Sequence, residues 1–222
     1  MPTALIIGAS RGIGYELARQ YKADGWRVIA TARRPEDCDR LAALGAEPQQ
    51  LDVTSADSIA GFSWNLDDEK IDVAWLVAGV YGPSHVDFPT GPDFDAVMHT
   101  NVLAAMRLIP IVAPLLASTR GKLAVVSSKM GSIGARTSTE GSLYRASKAA
   151  LNSVLRDAAL IYGPRGVTCI TFHPGWVQTD MGGAGATLPV ETSVRNLRAT
   201  LAGATAAANG TFLNHDGTPI PW

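Results

Sequence analysis

The chain has 222 residues, 46% of them hydrophobic and 18% charged, with a formal net charge of −1. That length suits one domain with a sizeable core, and the composition excludes a disordered chain. Near-neutral charge without a basic cluster excludes nucleic acid as an expected partner.

The first predicted element is a strand at 3–7, which runs into Gly8-Ala9-Ser10-Arg11-Gly12-Ile13-Gly14 and then a helical pattern at 12–24. Strand, glycine turn and helix N-terminus together make a phosphate cradle. The first-turn N–H groups are unpaired, the helix dipole favours an anion, and glycine lets the main chain come close to a pyrophosphate. The spacing is G-x-x-x-G-x-G rather than the more common G-x-G-x-x-G.

Further strands are expected at 27–31, 47–51, 71–77, 122–127 and 167–172, all read as buried. Helices are expected between them at 35–44, 55–62, 94–116 and 143–162, with Pro110 kinking the third of these. Beyond Phe172, residues 173–189 read as a glycine- and proline-rich loop, followed by a helix at 190–202 and a short strand at 211–213. Regular β-α alternation predicts a single α/β domain over 1–222, of the doubly wound Rossmann type. Its seven-stranded parallel sheet carries helices on both faces. A small substrate region of loop and helix is expected at 180–203.

In such sheets ligands lie beyond the carboxyl ends of the strands. The second strand ends at Thr31-Ala32-Arg33-Arg34, with no acidic residue for a ribose 2′-hydroxyl. A guanidinium there suits a 2′-phosphate, so Arg33, helped by Arg11, points to NADP in preference to NAD. After the third strand, Asp52 is placed either to accept from an adenine amino group or to cap the next helix. Ser127-Ser128 ends the fifth strand, and the next helix opens Tyr144-Arg145-Ala146-Ser147-Lys148, which puts a phenol and an ammonium on one face.

Gly8-x-x-x-Gly12-x-Gly14, Asp52, Asn101, Ser128, Tyr144-x-x-x-Lys148 and Pro174-Gly175 stand in the order that resembles the short-chain dehydrogenase/reductase family. The stretches 127–133, 173–181 and 212–217 look more specifically like its C-factor and Sniffer-like branch. The resemblance implies that Tyr144 exchanges a proton with the substrate oxygen while hydride moves at the nicotinamide. Ser128 would hydrogen-bond that oxygen, in preference to Ser127 or Ser132. Lys148 would hold the nicotinamide ribose, and the Asn101 main chain would position a relay water. Lys148 and the oxidised nicotinamide are expected to lower the Tyr144 pKa from its ordinary value near 10. The implied cofactor contacts are Gly8, Ser10, Arg11, Gly12, Ile13, Gly14, Arg33, Asp52, Val53, Ala78, Gly79, Tyr144, Lys148, Pro174, Gly175, Val177 and Thr179. Where the family carries Asn-Asn-Ala-Gly, this chain has Leu76-Val77-Ala78-Gly79, a change expected to test stability more than chemistry.

The expected function is an NADP(H)-dependent oxidoreductase interconverting a carbonyl and a secondary alcohol. The alternative is a non-catalytic NAD(P)-binding sensor on the same fold. The loop at 181–189 is expected to act as a modest mobile lid. His85, His99, His173 and His215 lack metal-ligand spacing, so no metal is expected. Asp67-Asp68-Glu69 reads as a solvated turn and Trp75 as core. Cys38 and Cys169 form no C-x-x-C and are expected as free thiols. The N-terminus has no basic n-region, and the apolar stretch at 102–117 is interrupted by Arg107, Pro110 and Pro114. Neither a signal peptide nor a membrane span is therefore expected, and the expected location is the cytoplasm. A homodimer or homotetramer through the helices at 94–116 and 143–162 is the expected assembly.

Overall fold

A computed structural model describes residues 1–83 and 89–222; His85 lies outside the described residues. The described strands are β1 (Thr3–Ile7), β2 (Arg27–Ala32), β3 (Glu47–Gln50), β4 (Val73–Leu76), β5 (Lys122–Val126), β6 (Thr168–His173) and β7 (Thr211–Asn214). They form one parallel sheet in the order β3-β2-β1-β4-β5-β6-β7. The order reverses between β1 and β4, which opens a crevice beyond the carboxyl ends of those two strands. The helices are α1 (Gly12–Ala23), α2 (Pro35–Ala43), α3 (Ala56–Asn65), α4 (Gly91–Met98), α5 (Ala104–Ala117), α6 (Ser142–Tyr162) and α7 (Val190–Gly203).

Alternation along each strand divides the core in two. Leu5, Ile7, Leu123, Val125 and Cys169 face α3, α5 and α6, while Ala4, Ile6, Trp75, Ile170 and Phe172 face α1 and α7. Trp75 is fully buried, and its indole N–H donates to the Tyr21 hydroxyl at 3.1 Å. Leu76, at a family asparagine position, joins the first of these clusters.

β3 departs from the expected buried strand. Its sequence Glu-Pro-Gln-Gln is half-exposed at the sheet edge, where a proline costs no interior ladder bond. Glu69 also departs from the expected solvated turn. Arg27 of β2 donates to both Glu47 and Glu69, at 2.6 and 2.5 Å, and so ties that turn to the edge strand.

The helix expected at 94–116 is longer and differently broken. Its irregularity is a π-helical stretch at His99–Leu103, ahead of Pro110, while helical structure runs unbroken through Pro110 and Pro114. The continuous helical run Gly91–Ala117 is long and apolar enough by itself to cross a membrane, contrary to the expectation from its interruptions. Leu108, Val112 and Leu116 nevertheless pack into the core, so it serves here as a core helix.

Candidate active site

The glycine turn joins β1 to α1. Gly8 has φ +92°, and a β-carbon on Gly14 would stand 2.0 Å from the Gly8 carbonyl oxygen, so only glycine lets the turn close this tightly. Arg11 is the N-cap of α1 and gives no side-chain cap, which leaves the first-turn N–H groups facing the crevice without a side-chain acceptor. Ser10 and Ile13 lie within this turn, and Ala78 closes against Gly8. Thr179, after β6, lies over Gly12, within 3.2 Å of where a β-carbon there would stand. Arg11 donates to Asp180 at 2.8 Å, an exposed pair joining the two sides of the crevice.

At the end of β2 the two arginines part company. Arg34 pairs with Glu36 and Asp37, at 3.4 and 2.9 Å. Arg33 is exposed beside Asp52, whose carboxyl it helps to hold below the ordinary range. Larger causes of that lowering are the hydrogen bonds Asp52 accepts from the Thr54 hydroxyl and N–H, at 2.7 and 2.9 Å. Asp52 therefore caps its own turn, with Val53 inside it, while the α3 N-cap is Ser55. Sequence reasoning missed Arg40, whose guanidinium donates to the Ser10 carbonyl and lies over the Tyr15 ring. An arginine nearly two helical turns past the Arg33-Arg34 pair was the available signal.

The second cluster surrounds the start of α6. Ser128, two residues past β5, caps a single 3₁₀ turn; its hydroxyl oxygen accepts the Met130 N–H at 3.2 Å, which leaves the O–H as a donor. Tyr144 is 7% exposed, and the Lys148 ammonium lies 5.6 Å from the centre of its ring. Lys148 is buried and donates to the Val126 carbonyl at 3.1 Å. A β-carbon on Gly79 would stand 3.2 Å from the Asn101 amide oxygen and 3.3 Å from the Lys148 nitrogen, so the β4 loop, the π-helical stretch and α6 converge there. The Asn101 side chain is engaged: its oxygen accepts the Val80 N–H, and its nitrogen donates to the Val80 carbonyl and the Ser147 hydroxyl. Only its main chain is left for a relay, and it stands in the distorted stretch of the helix.

The electrostatics differ from the expected lowering of the phenol pKa. Burial pushes Tyr144 up to about 12, with the Ser128 hydroxyl acting in the opposite direction. Burial also pushes Lys148 down to about 8. Desolvation disfavours both charged forms, so in the protein alone it outweighs the ammonium's support of a phenolate.

On the third side, the loop after Pro174-Gly175 is held by several bonds. The Trp176 indole N–H donates to the Gly182 carbonyl at 2.8 Å, Gln178 N–H donates to the Leu188 carbonyl, and Leu188 N–H to that of Trp176. Val177 is buried and bridges to Leu188. His215 packs against Gly175, and His173, just before Pro174, is half-buried with its Nδ1 enclosed and unpartnered. Among the described residues no cluster of His, Cys, Asp and Glu is arranged to hold a metal.

Residues 2–187 match the family model for short chain dehydrogenases. The chain is 36% identical over 166 residues to C-signal of Myxococcus xanthus, across 72% of this chain and 98% of that one. It superposes with a TM-score of 0.92 on carbonyl reductase Sniffer of D. melanogaster, at 27% identity and with 100% of both chains covered. A short-chain dehydrogenase/reductase from Burkholderia multivorans with bound NADP gives a TM-score of 0.90 at 30% identity, over 100% of this chain and 99% of that one. From the glycine turn to Pro174-Gly175, the match covers both clusters that converge on the crevice, and the chain belongs to the short-chain dehydrogenase family, alongside C-signal and Sniffer.

Proposed function

We propose that this protein is an NADP(H)-dependent reductase that interconverts a carbonyl and a secondary alcohol. The observation that carries the reading is the convergence of Ser128, Tyr144 and Lys148 beside the crevice opened by the glycine turn. The cradle suits a dinucleotide: a side chain at Gly14 would close it, and the α1 N-terminus has no capping side chain. Arg33 and Arg11 would take the 2′-phosphate, with Arg11 leaving Asp180 to do so. The backbone of Gly8–Gly14 would hold the pyrophosphate, Lys148 the nicotinamide ribose, and Val177 and Thr179 the carboxamide side. When bound, NADPH supplies the hydride.

The chain's own residues then handle the proton. Ser128 donates to the substrate oxygen and holds it within reach of the Tyr144 hydroxyl. A phenol near 12 is protonated throughout the neutral range, so Tyr144 stands ready to give its proton to the oxygen as it becomes an alkoxide. Lys148, near 8, is mostly protonated at neutral pH and can help to restore that proton. The resting state thus favours the direction of reduction.

The test is NADPH oxidation over a panel of ketones and aldehydes, with Tyr144→Phe as the control. Wild-type turnover that falls by about 10² or more in the variant, with NADPH affinity kept, supports the reading. NADPH binding without turnover on any substrate would overturn it in favour of a non-catalytic NAD(P)-binding sensor.

A further inference from the structure

Tyr81, in the loop after β4, covers the ring of Tyr144. The two ring centres are 4.7 Å apart at 30°, a tilted stack of the kind aromatic pairs favour. Two glycines make room for it. Gly141, the residue before α6, has φ +65°, and a β-carbon there would stand 2.6 Å from the Tyr81 hydroxyl oxygen and 3.0 Å from the Met130 methyl. Gly82 next to it would bring a β-carbon within 2.5 Å of Val97 in α4. The loop therefore lies close between α4 and α6 and sets the phenol of Tyr81 on that of Tyr144. Among the described residues, the other polar groups facing Tyr144 are Ser128, just past β5, and Lys148, one turn further along α6.

We infer that Tyr81 is a positioning residue for the reaction: its ring fixes the plane of Tyr144 and keeps water off that phenol. This rests on Tyr144 being the proton donor of the proposed reductase. Fixing the plane matters because a displacement of about 1 Å in a reacting group can cost about 10²-fold in rate. Excluding water matters because burial is the main reason Tyr144 stays protonated to high pH.

The sign of the effect is definite. Opening the stack to water favours the phenolate, so the Tyr144 pKa falls from about 12 towards its ordinary 10.0. Reduction needs the protonated phenol, so the alkaline limb of kcat falls with it. Two kinds of substitution separate the ring from the hydroxyl. Tyr81→Phe keeps the cover, whereas Tyr81→Ala removes it. Tyr81→Gln, which keeps length and solubility but admits water, replaces the alanine variant should that one not fold.

The experiment follows tyrosinate absorbance against pH for each protein, minus the same protein carrying Tyr144→Phe, alongside kcat and KM for reduction. At pH 11 the wild-type Tyr144 should be about one-tenth ionised, by the titration of a group near 12, and that of the opened variant should be several-fold more ionised. The opened variants should also lose about tenfold in kcat with less change in KM. Tyr81→Phe keeps the cover and removes only the neighbouring phenol's charge, which itself raises the Tyr144 pKa, so it should keep the rate and shift the titration much less than the opened variants do. If Tyr81→Ala or Tyr81→Gln titrates as the wild type does, or if Tyr81→Phe behaves like them, the inference is overturned. The titration needs no turnover, so an inactive wild type would count against the proposed reaction while leaving the stacking arm readable.

Discussion

At the scale of single residues, the active site is a contest between burial and charge. Tyr144 and Lys148 share a helix face, yet each is more desolvated than it is helped by the other, so the phenol rises and the ammonium falls. The same physics acts on His173. Burial, with His215 and Lys129 adding to it, pushes its pKa down to about 4 from 6.5. The unfolded chain therefore binds a proton at His173 more readily than the folded chain does. Its effect on stability is absent above pH 6.5 and grows as pH falls towards 4, to about 3 kcal/mol at most. His173→Gln is expected to flatten the loss of Tm between those pH values, measured by thermal melts. Gly14→Ala should abolish dinucleotide binding and lower Tm, since the added carbon meets the Gly8 carbonyl. Wild-type affinity for NADPH in that variant would refute this account of the turn.

At the scale of elements, the strand ends decide which residues meet. Arg33 is left exposed just past β2, beside Asp52, while Arg34 turns back onto α2 and its acidic first turn. Arg33→Asp is accordingly expected to cut NADPH affinity at least tenfold and leave NADH affinity nearly unchanged, by fluorescence titration. Equal losses for both would mean that Arg33 acts on the fold. Much of this was legible in the chain. The glycine spacing, the Tyr144–Lys148 pair and the alternation of strands and helices all depend on local period and turn chemistry. The π-helical stretch at His99–Leu103 was not legible, because it lies where Asn101 bonds to Val80 and Ser147, partners far along the chain. Tyr81 was missed for the same reason: an aromatic residue in a loop carries no period.

At the scale of the whole molecule, the sheet is sealed by long-range contacts. Arg198 of α7 lies 4.1 Å from the centre of the Tyr21 ring and pairs with Asp24, which ties the last helix to the first. The tail folds back under the site, with Trp222 stacked on Phe212 and the Pro221 carbonyl accepting from Ser132 at 2.5 Å. Met106 of α5 and Leu160 and Ile161 of α6 stay more than half exposed. These outer faces are where the expected dimer or tetramer would bury apolar surface. Met106→Glu combined with Leu160→Glu should yield monomers by analytical ultracentrifugation; an unchanged mass would place any assembly elsewhere.

The sequence by itself determined the β-α alternation, the phosphate cradle and the family, because each rests on residue type at fixed spacing. Only the tertiary structure decided that Arg34 is engaged while Arg33 stays exposed, that Asp52 caps its own turn, and that Tyr144 is buried with Tyr81 stacked on its ring. Those outcomes depend on burial and on partners far apart in the chain, and both arise only when the strands are laid side by side.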